Sequence, residues 1–334
     1  MEVQEDFVGR FRARYLPAIL VILTFTSTSS AQNKKPKNSD VENIGTRDIN
    51  RHNINFVSLD KEVTIGRALS RQLEQESRLL KDPTVNEYVN RVGQNIVRNS
   101  DAKVPFTIKV IESEQINAFA LPGGFFYVNS GLILAADDEA ELAGVMAHEI
   151  AHVAARHGTE QESKGQLVSY MALPLIFVAG PVGYGVEQAI SVLVPFTFLR
   201  FSRGMETEAD YLGVQYLYKS GYDPSAMVRF FEKLQAKEKA KPGSISRLFS
   251  THPPTGSRIK KVEQTITVIL PPKDQYVEST SEFDRVKTYL AKIENNRSQG
   301  ESNQPTLHRK NQNPDSDNAP PSQPDDDRPT LKRN

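Results

Sequence analysis

Two groups of residues in this 334-residue chain could do chemistry, and both are built from His, Asp and Glu. The first is His148-Glu149-Ile150-Ala151-His152. On a helix, residues four apart lie one turn above each other, so both imidazoles can point at a single ion about 2.0–2.1 Å from each ligating nitrogen. Glu149 is turned by about 100° from His148, near enough to reach a water at the ion without binding the ion itself. The chemistry such a set allows is metal-assisted hydrolysis, which needs three protein ligands and one open position for water. His157 lies about 140° round the helix from His152 and reads as a charge-compatible residue at the negative helix end. The second group is Glu206-Thr207-Glu208-Ala209-Asp210. Glu206 and Asp210 share a helix face, whereas Glu208 points elsewhere. One of that pair can bind the ion while the other accepts the free N–H of a ligating histidine and fixes its tautomer.

These groups must be positioned by helices, and the sequence supplies them. Asp137 or Asp138 can cap a helix that closes near Gly158, with Leu142, Val145, Met146, Ile150, Val153 and Ala154 as its apolar side. Glu206 opens another, running to Lys219, a third starts at Asp223-Pro224, and a basic one follows Pro254. Upstream, two helices are expected between Leu59 and Ser100. The second of these has Asp82 as cap, Pro83 in its first turn and Val85, Tyr88, Val89, Val92 and Ile96 on one face. Phe106–Glu112 alternates and is rich in β-favouring residues, so it reads as a strand. Ile116–Ala120 and Gly124–Val128 read as two more, parted by the turn-forming Pro122-Gly123-Gly124. A last helix spans about Ser279 to Asn295.

Composition narrows the classes. Lys plus Arg equal Asp plus Glu at 41 each, so there is no basic field to gather nucleic acid. The absence of cysteine excludes disulfides, thiolate metal sites and cysteine nucleophiles. Arg10, Arg12 and Arg14 precede an apolar run from Leu16 to Phe25 and small residues ending at Ala31, the order of a secretory signal peptide over 1–31. Residues 32–58 are polar and aperiodic and read as a linker, and 297–334 read as a disordered tail. Leu167–Val186 is uncharged and long enough to span a bilayer. A crossing there would put Glu206 on the far side from His148 unless Ala189–Leu199 crossed back, and that stretch is too short. The region 167–199 is therefore expected to be a buried or interfacial hairpin, with membrane-surface contact as the second reading.

The joint pattern resembles the gluzincin zinc metallopeptidases, the family that includes the CAAX prenyl endopeptidase, HtpX and BepA. The matching blocks are Asn117–Gly124, Ala147–His152, Ser202-Arg203 with Glu206–Asp210, and Thr251-His252-Pro253-Pro254-Thr255 with Arg258-Ile259. Together they span roughly Leu59 to Gln264. The resemblance implies one Zn²⁺ held by His148, His152 and Glu206, Glu149 as general base and Asp210 as the partner of a ligating histidine. It also implies that Asn117, Ala118, Phe119 and Ala120 form a sheet edge that pairs with extended substrate. His252 is either a regulatory fourth ligand closing the open position or a turn histidine. Arg258 either binds substrate backbone or a developing oxyanion, or pairs with a carboxylate. Two family features are missing here, a set of transmembrane helices and a tetratricopeptide array.

The fold class expected is α+β, a mainly helical zincin-type metallopeptidase domain over 59–296 with a small β-sheet whose edge strand borders the cleft. The function expected is hydrolysis of peptide bonds in unfolded or misassembled envelope proteins by an exported, periplasmic enzyme. The alternative is a chaperone-like envelope assembly factor with a latent zinc site.

Overall fold

A computed structural model of the chain describes residues 39–51, 53–163, 201–240, 252 and 255–302. The signal-peptide expectation for 1–31, the hairpin expectation for 167–199 and the tail from 303 onward lie outside the described residues. The chain divides into two units, Met1–Ser39 and Asp40–Asn334, and every element described here belongs to the second.

Helix α1 (Leu59–Glu76) starts where the Ser58 hydroxyl accepts from the Lys61 N–H, and α2 (Pro83–Arg98) starts where the Asp82 carboxylate accepts from the Val85 N–H. A side-chain oxygen at that position satisfies one of the amides a helix start leaves unpaired. The apolar face of α2 is the expected one, with Val85, Tyr88, Val89, Val92 and Ile96 buried. Three strands follow, β1 (Thr107–Ile111), β2 (Ala118–Leu121) and β3 (Phe125–Asn129). They form one sheet in the order β1-β3-β2, with β1 parallel and β2 antiparallel to β3, so β2 is an edge. The turn between β2 and β3 passes through Gly123 at φ 75. Gly66 lets α1 lie directly on that turn, since a Cβ there would stand 1.8 Å from the Pro122 carbonyl oxygen.

β3 runs into a short helix that the sequence does not announce, α3 (Ser130–Ala135). Helix α4 (Glu139–Ala154) then carries the His-Glu-x-x-His motif, with Asp138 accepting from the Glu141 N–H. Every residue of α4 is buried. A helix apolar all round is a core helix, and α2, the sheet edge and two later helices pack around it. It closes at Ala154 rather than Gly158, because Arg156 takes a left-handed φ of 57, a conformation costly for a residue with a Cβ. Helical structure resumes over 157–163. Beyond it come α5 (Arg203–Lys219), capped by Ser202, α6 (Ser225–Ala240), α7 (Gly256–Ile269), capped by Thr255, and α8 (Ser281–Ser302). The last extends past the expected end at Asn295. The result is the expected α+β architecture: a mainly helical domain with a small mixed sheet at its side.

The linker expectation for 32–58 is corrected from Asp40 onward. Val41 and Ile49 are buried, and Arg47 pairs with the fully buried Asp101 at 2.8 Å. Asn50 donates to the Ala154 carbonyl, Asn55 to Thr159 and the Phe56 N–H to Ser163. This arm thus fastens the carboxyl end of α4 and the residues after it. Hydrogen bonds hold it, along with Val41 and Ile49, which join the main hydrophobic core.

Candidate metal centre

The site forms where α4 and α5 touch. Gly213 on α5 sits against the backbone of His148, and a Cβ there would lie 3.1 Å from the His148 Cα and N. That close approach brings Asp210 and Glu206, one and two turns earlier on α5, level with the motif. Four potential ligand atoms from His148, His152, Glu206 and His252 all lie within 4.8 Å of one another, and all four residues are buried. The His148 and His152 Nε2 atoms are 3.1 Å apart, and His148 Nε2 is 3.4 Å from His252 Nδ1. Glu206 Oε1 is 2.7 Å from His252 Nδ1 and 3.5 Å from His152 Nε2.

These spacings decide whether a metal fits. A tetrahedral zinc with bonds of 2.0–2.1 Å has ligand atoms separated by about 3.4 Å. The observed 2.7–3.5 Å separations scatter around that value. Three imidazole nitrogens and a carboxylate oxygen converge on one buried point, a donor set that suits zinc.

The surrounding groups aim this set. His148 Nδ1 is 3.0 Å from Asp210 Oδ1. Arg258 forks onto Asp210 with two bonds of 2.7 Å and reaches Glu206 Oε2 at 2.9 Å. Of the two readings of Arg258, substrate or oxyanion binding and pairing with a carboxylate, the structure shows the second: its guanidinium is buried and taken up by two carboxylates, which leaves Glu206 Oε1 to face the histidines. Burial alone would raise the Glu206 carboxyl, but His148 and His252 hold it far below the usual carboxylate range. Burial works against the Asp210 carboxylate too, yet Arg258 and His148 keep it low. Burial disfavours the charged His148 ring, but Asp210 and Glu206 outweigh that and push its pKa up to about 9. His152 goes the other way, driven down by burial and by the neighbouring His148 and His157.

Glu149 stands beside the cluster, with Oε1 3.6 Å from His252 Nε2. Burial raises its pKa against the opposing pull of His252 and His148, and it also accepts a backbone hydrogen bond from Ala120. The Ala120 contact follows from strand register. The Asn129 N–H bonds the Asn117 carbonyl, so by antiparallel alternation Phe119 and Leu121 also face β3, while Ala118 and Ala120 turn their polar groups outward. Of the four residues expected at the edge, Asn117 precedes β2 and is buried, and Phe119 stacks on Tyr127 with ring centroids 5.5 Å apart. A cleft lined by Ala120, Pro122, His152, Val153 and Phe201 opens beside the cluster.

Three features escaped the sequence reading. His157 is fully buried and its Nδ1 lies 2.9 Å from His152 Nδ1, so it is a neighbour of the site and not a charge at a helix end. Glu208 faces it, with Oε2 3.5 Å from His157 Nε2. Phe201 stacks on the His152 ring at 4.1 Å between centroids. No sequence signal marks Phe201, whereas the Arg156-His157 pair just beyond the motif could have drawn attention to His157.

Comparison with known proteins agrees with this geometry. The chain is 35% identical over 221 residues to the beta-barrel assembly-enhancing protease of Yersinia pestis, covering 61% of this chain and 43% of that protein. It is 34% identical over 246 residues to the protein of the same name in Escherichia coli, covering 71% of this chain and 48% of that one. To the mitochondrial metalloendopeptidase OMA1 of Schizosaccharomyces pombe it is 34% identical over 223 residues, 64% of each chain. It spans less than half the length of those bacterial relatives. The description "Peptidase family M48" matches residues 83–266, a span that holds the motif helix, Glu206, Asp210, His252 and Arg258, and on that match the chain belongs to Peptidase family M48.

Proposed function

We propose that the chain is a zinc-dependent endopeptidase in which His148, His152 and Glu206 hold the metal and Glu149 is the general base. The convergence of those three ligand atoms beside a buried carboxylate of raised pKa supports the reading most directly. A bound zinc supplies Lewis acidity, making water acidic and a carbonyl electrophilic at neutral pH. Glu149 takes the proton from the attacking water as its oxygen bonds the scissile carbonyl carbon, and returns it to the amine nitrogen as the C–N bond breaks. A raised pKa suits a group that must both accept and donate near neutrality. Asp210 holds the His148 ring, and Arg258 holds Asp210 and Glu206.

Strand β2 is a sheet edge, and with the Ala120 N–H directed to Glu149 it is the Ala120 carbonyl and the outward groups of Ala118 that offer an extended peptide the hydrogen bonds of one more strand. Such pairing reads backbone rather than sequence, so the substrates are unfolded or misassembled protein segments. The relatives named as beta-barrel assembly-enhancing proteases favour envelope proteins as those substrates, reached by export across the inner membrane into the periplasm. Among the described residues no helix is long and apolar enough to cross a membrane. Membrane-surface contact through 167–199 remains part of the proposal, tested by flotation of the purified chain with liposomes.

His252 fills the corner that a hydrolytic site keeps open. We assign it as a regulatory fourth ligand, and the conformation described as a latent one. For the activity itself, Glu149→Gln should lower the rate of casein degradation by about 10²–10⁴-fold while leaving zinc content unchanged. Undiminished degradation by that variant would refute the assignment.

A further inference from the structure

His152 presents Nε2 to the cluster, and a nitrogen that binds a cation must carry no proton. Its ring hydrogen therefore sits on Nδ1, and the acceptor facing that atom at 2.9 Å is Nδ1 of His157. Two bare nitrogens at that distance would repel, and two protonated ones would clash, so one tautomer pair is selected. The His157 hydrogen is left on Nε2, which makes no hydrogen bond among the described residues and has Glu208 Oε2 3.5 Å away.

We propose that His157 is a positioning residue for the metal ligand His152, fixing its tautomer and ring direction through the Nδ1–Nδ1 contact. The proposal rests on the zinc-site reading above and adds a residue outside the ligand set. Most ligating histidines lean on a carboxylate, a carbonyl or a water; here the partner is a neutral imidazole. His148 has the usual carboxylate, Asp210, at 3.0 Å, so the two ligands are supported by different chemistry. The backbone makes this reachable: the left-handed Arg156 turns the chain immediately after α4 and folds His157 back under His152. Arg156 is itself tied down, its Nε donating to the buried Glu62 at 2.8 Å. Phe201 closes the other side of the His152 ring, stacked at 21° between planes.

The test is zinc affinity of the full chain, measured by competition with a chelator, together with the melting temperature of the metal-free protein. Metal partners of this kind are worth about 10–100-fold in affinity. His157→Phe, which fills the space and cannot accept a hydrogen bond, should loosen zinc by that factor. His157→Gln, whose amide oxygen can accept from His152 and whose amide N–H can face Glu208, should stay within about threefold of wild type. A role in packing alone would instead lower metal-free melting in both variants and leave zinc affinity where it was. Wild-type affinity in His157→Phe overturns the proposal, as does equal loss in Phe and Gln. Should His157→Phe not fold, His157→Asn decides, because its shorter amide stays polar but stops short of His152: tenfold weaker zinc supports the proposal and wild-type affinity overturns it. Failure of the zinc-site reading looks different, since wild type and His148→Ala would then bind zinc alike.

Discussion

The open corner of the metal set is where single residues decide most. His252 Nδ1 lies 2.7 Å from Glu206 Oε1 and 3.4 Å from His148 Nε2, so it and an attacking water would compete for one place. If the closed arrangement holds half of the molecules or more, its removal raises the competent fraction at least about twofold. His252→Ala should therefore degrade casein at least about twofold faster than wild type with zinc content unchanged. A slower variant would make His252 a needed ligand rather than a stopper. The pair His148 and His152 was legible from spacing because it lies inside one unbroken helix. His157 was not, since a rotation of 140° holds only if the helix continues, and Arg156 at φ 57 interrupts it. Arg258 was legible as important but not as a neighbour of Asp210 and Glu206. Forty-eight residues separate it from Asp210, and its spacing says nothing about which carboxylates it meets.

Elements set the distances that these residues need. The approach of α5 to α4 rests on Gly213, which leaves no room for a side chain against the His148 backbone. Gly213→Val should push the helices apart and cost about 1–3 kcal/mol as an overpacking change, visible in denaturant unfolding, with zinc bound more weakly. Wild-type stability and zinc affinity would show that α4 and α5 are not held at this separation by the glycine. Strand β2 was legible from its alternation and from the Pro-Gly-Gly turn after it. Its outward backbone groups at Ala118 and Ala120 were not, because which residues face outward depends on pairing with β3. The short α3 was missed since Ser130–Ala135 contains too few residues to show a helical period.

At the scale of the whole molecule, the domain begins earlier than its hydrophobic pattern. The arm from Asp40 carries few apolar residues, so nothing periodic announces it. Besides Val41 and Ile49 in the core, its attachment has a polar centre: Arg47 and the Tyr216 hydroxyl both meet Asp101, which is fully buried. Removing one partner of a buried pair leaves an uncompensated charge, so Arg47→Ala should cost about 3–5 kcal/mol in denaturant unfolding. A loss below 1 kcal/mol would mean that the arm is a passenger. The edge of the sheet and α2 pack on α4, as do α5 and α6, with the ligand cluster at the seam of α4 and α5. The account stands on that cluster binding one ion through two histidines of one helix and a carboxylate of another. Zinc quantification on wild-type, His148→Ala and Glu206→Ala chains tests it most directly: one zinc per wild-type chain and none retained through chelator washing by either variant is the predicted result, whereas a Glu206→Ala chain that keeps stoichiometric zinc as tightly as wild type would contradict it.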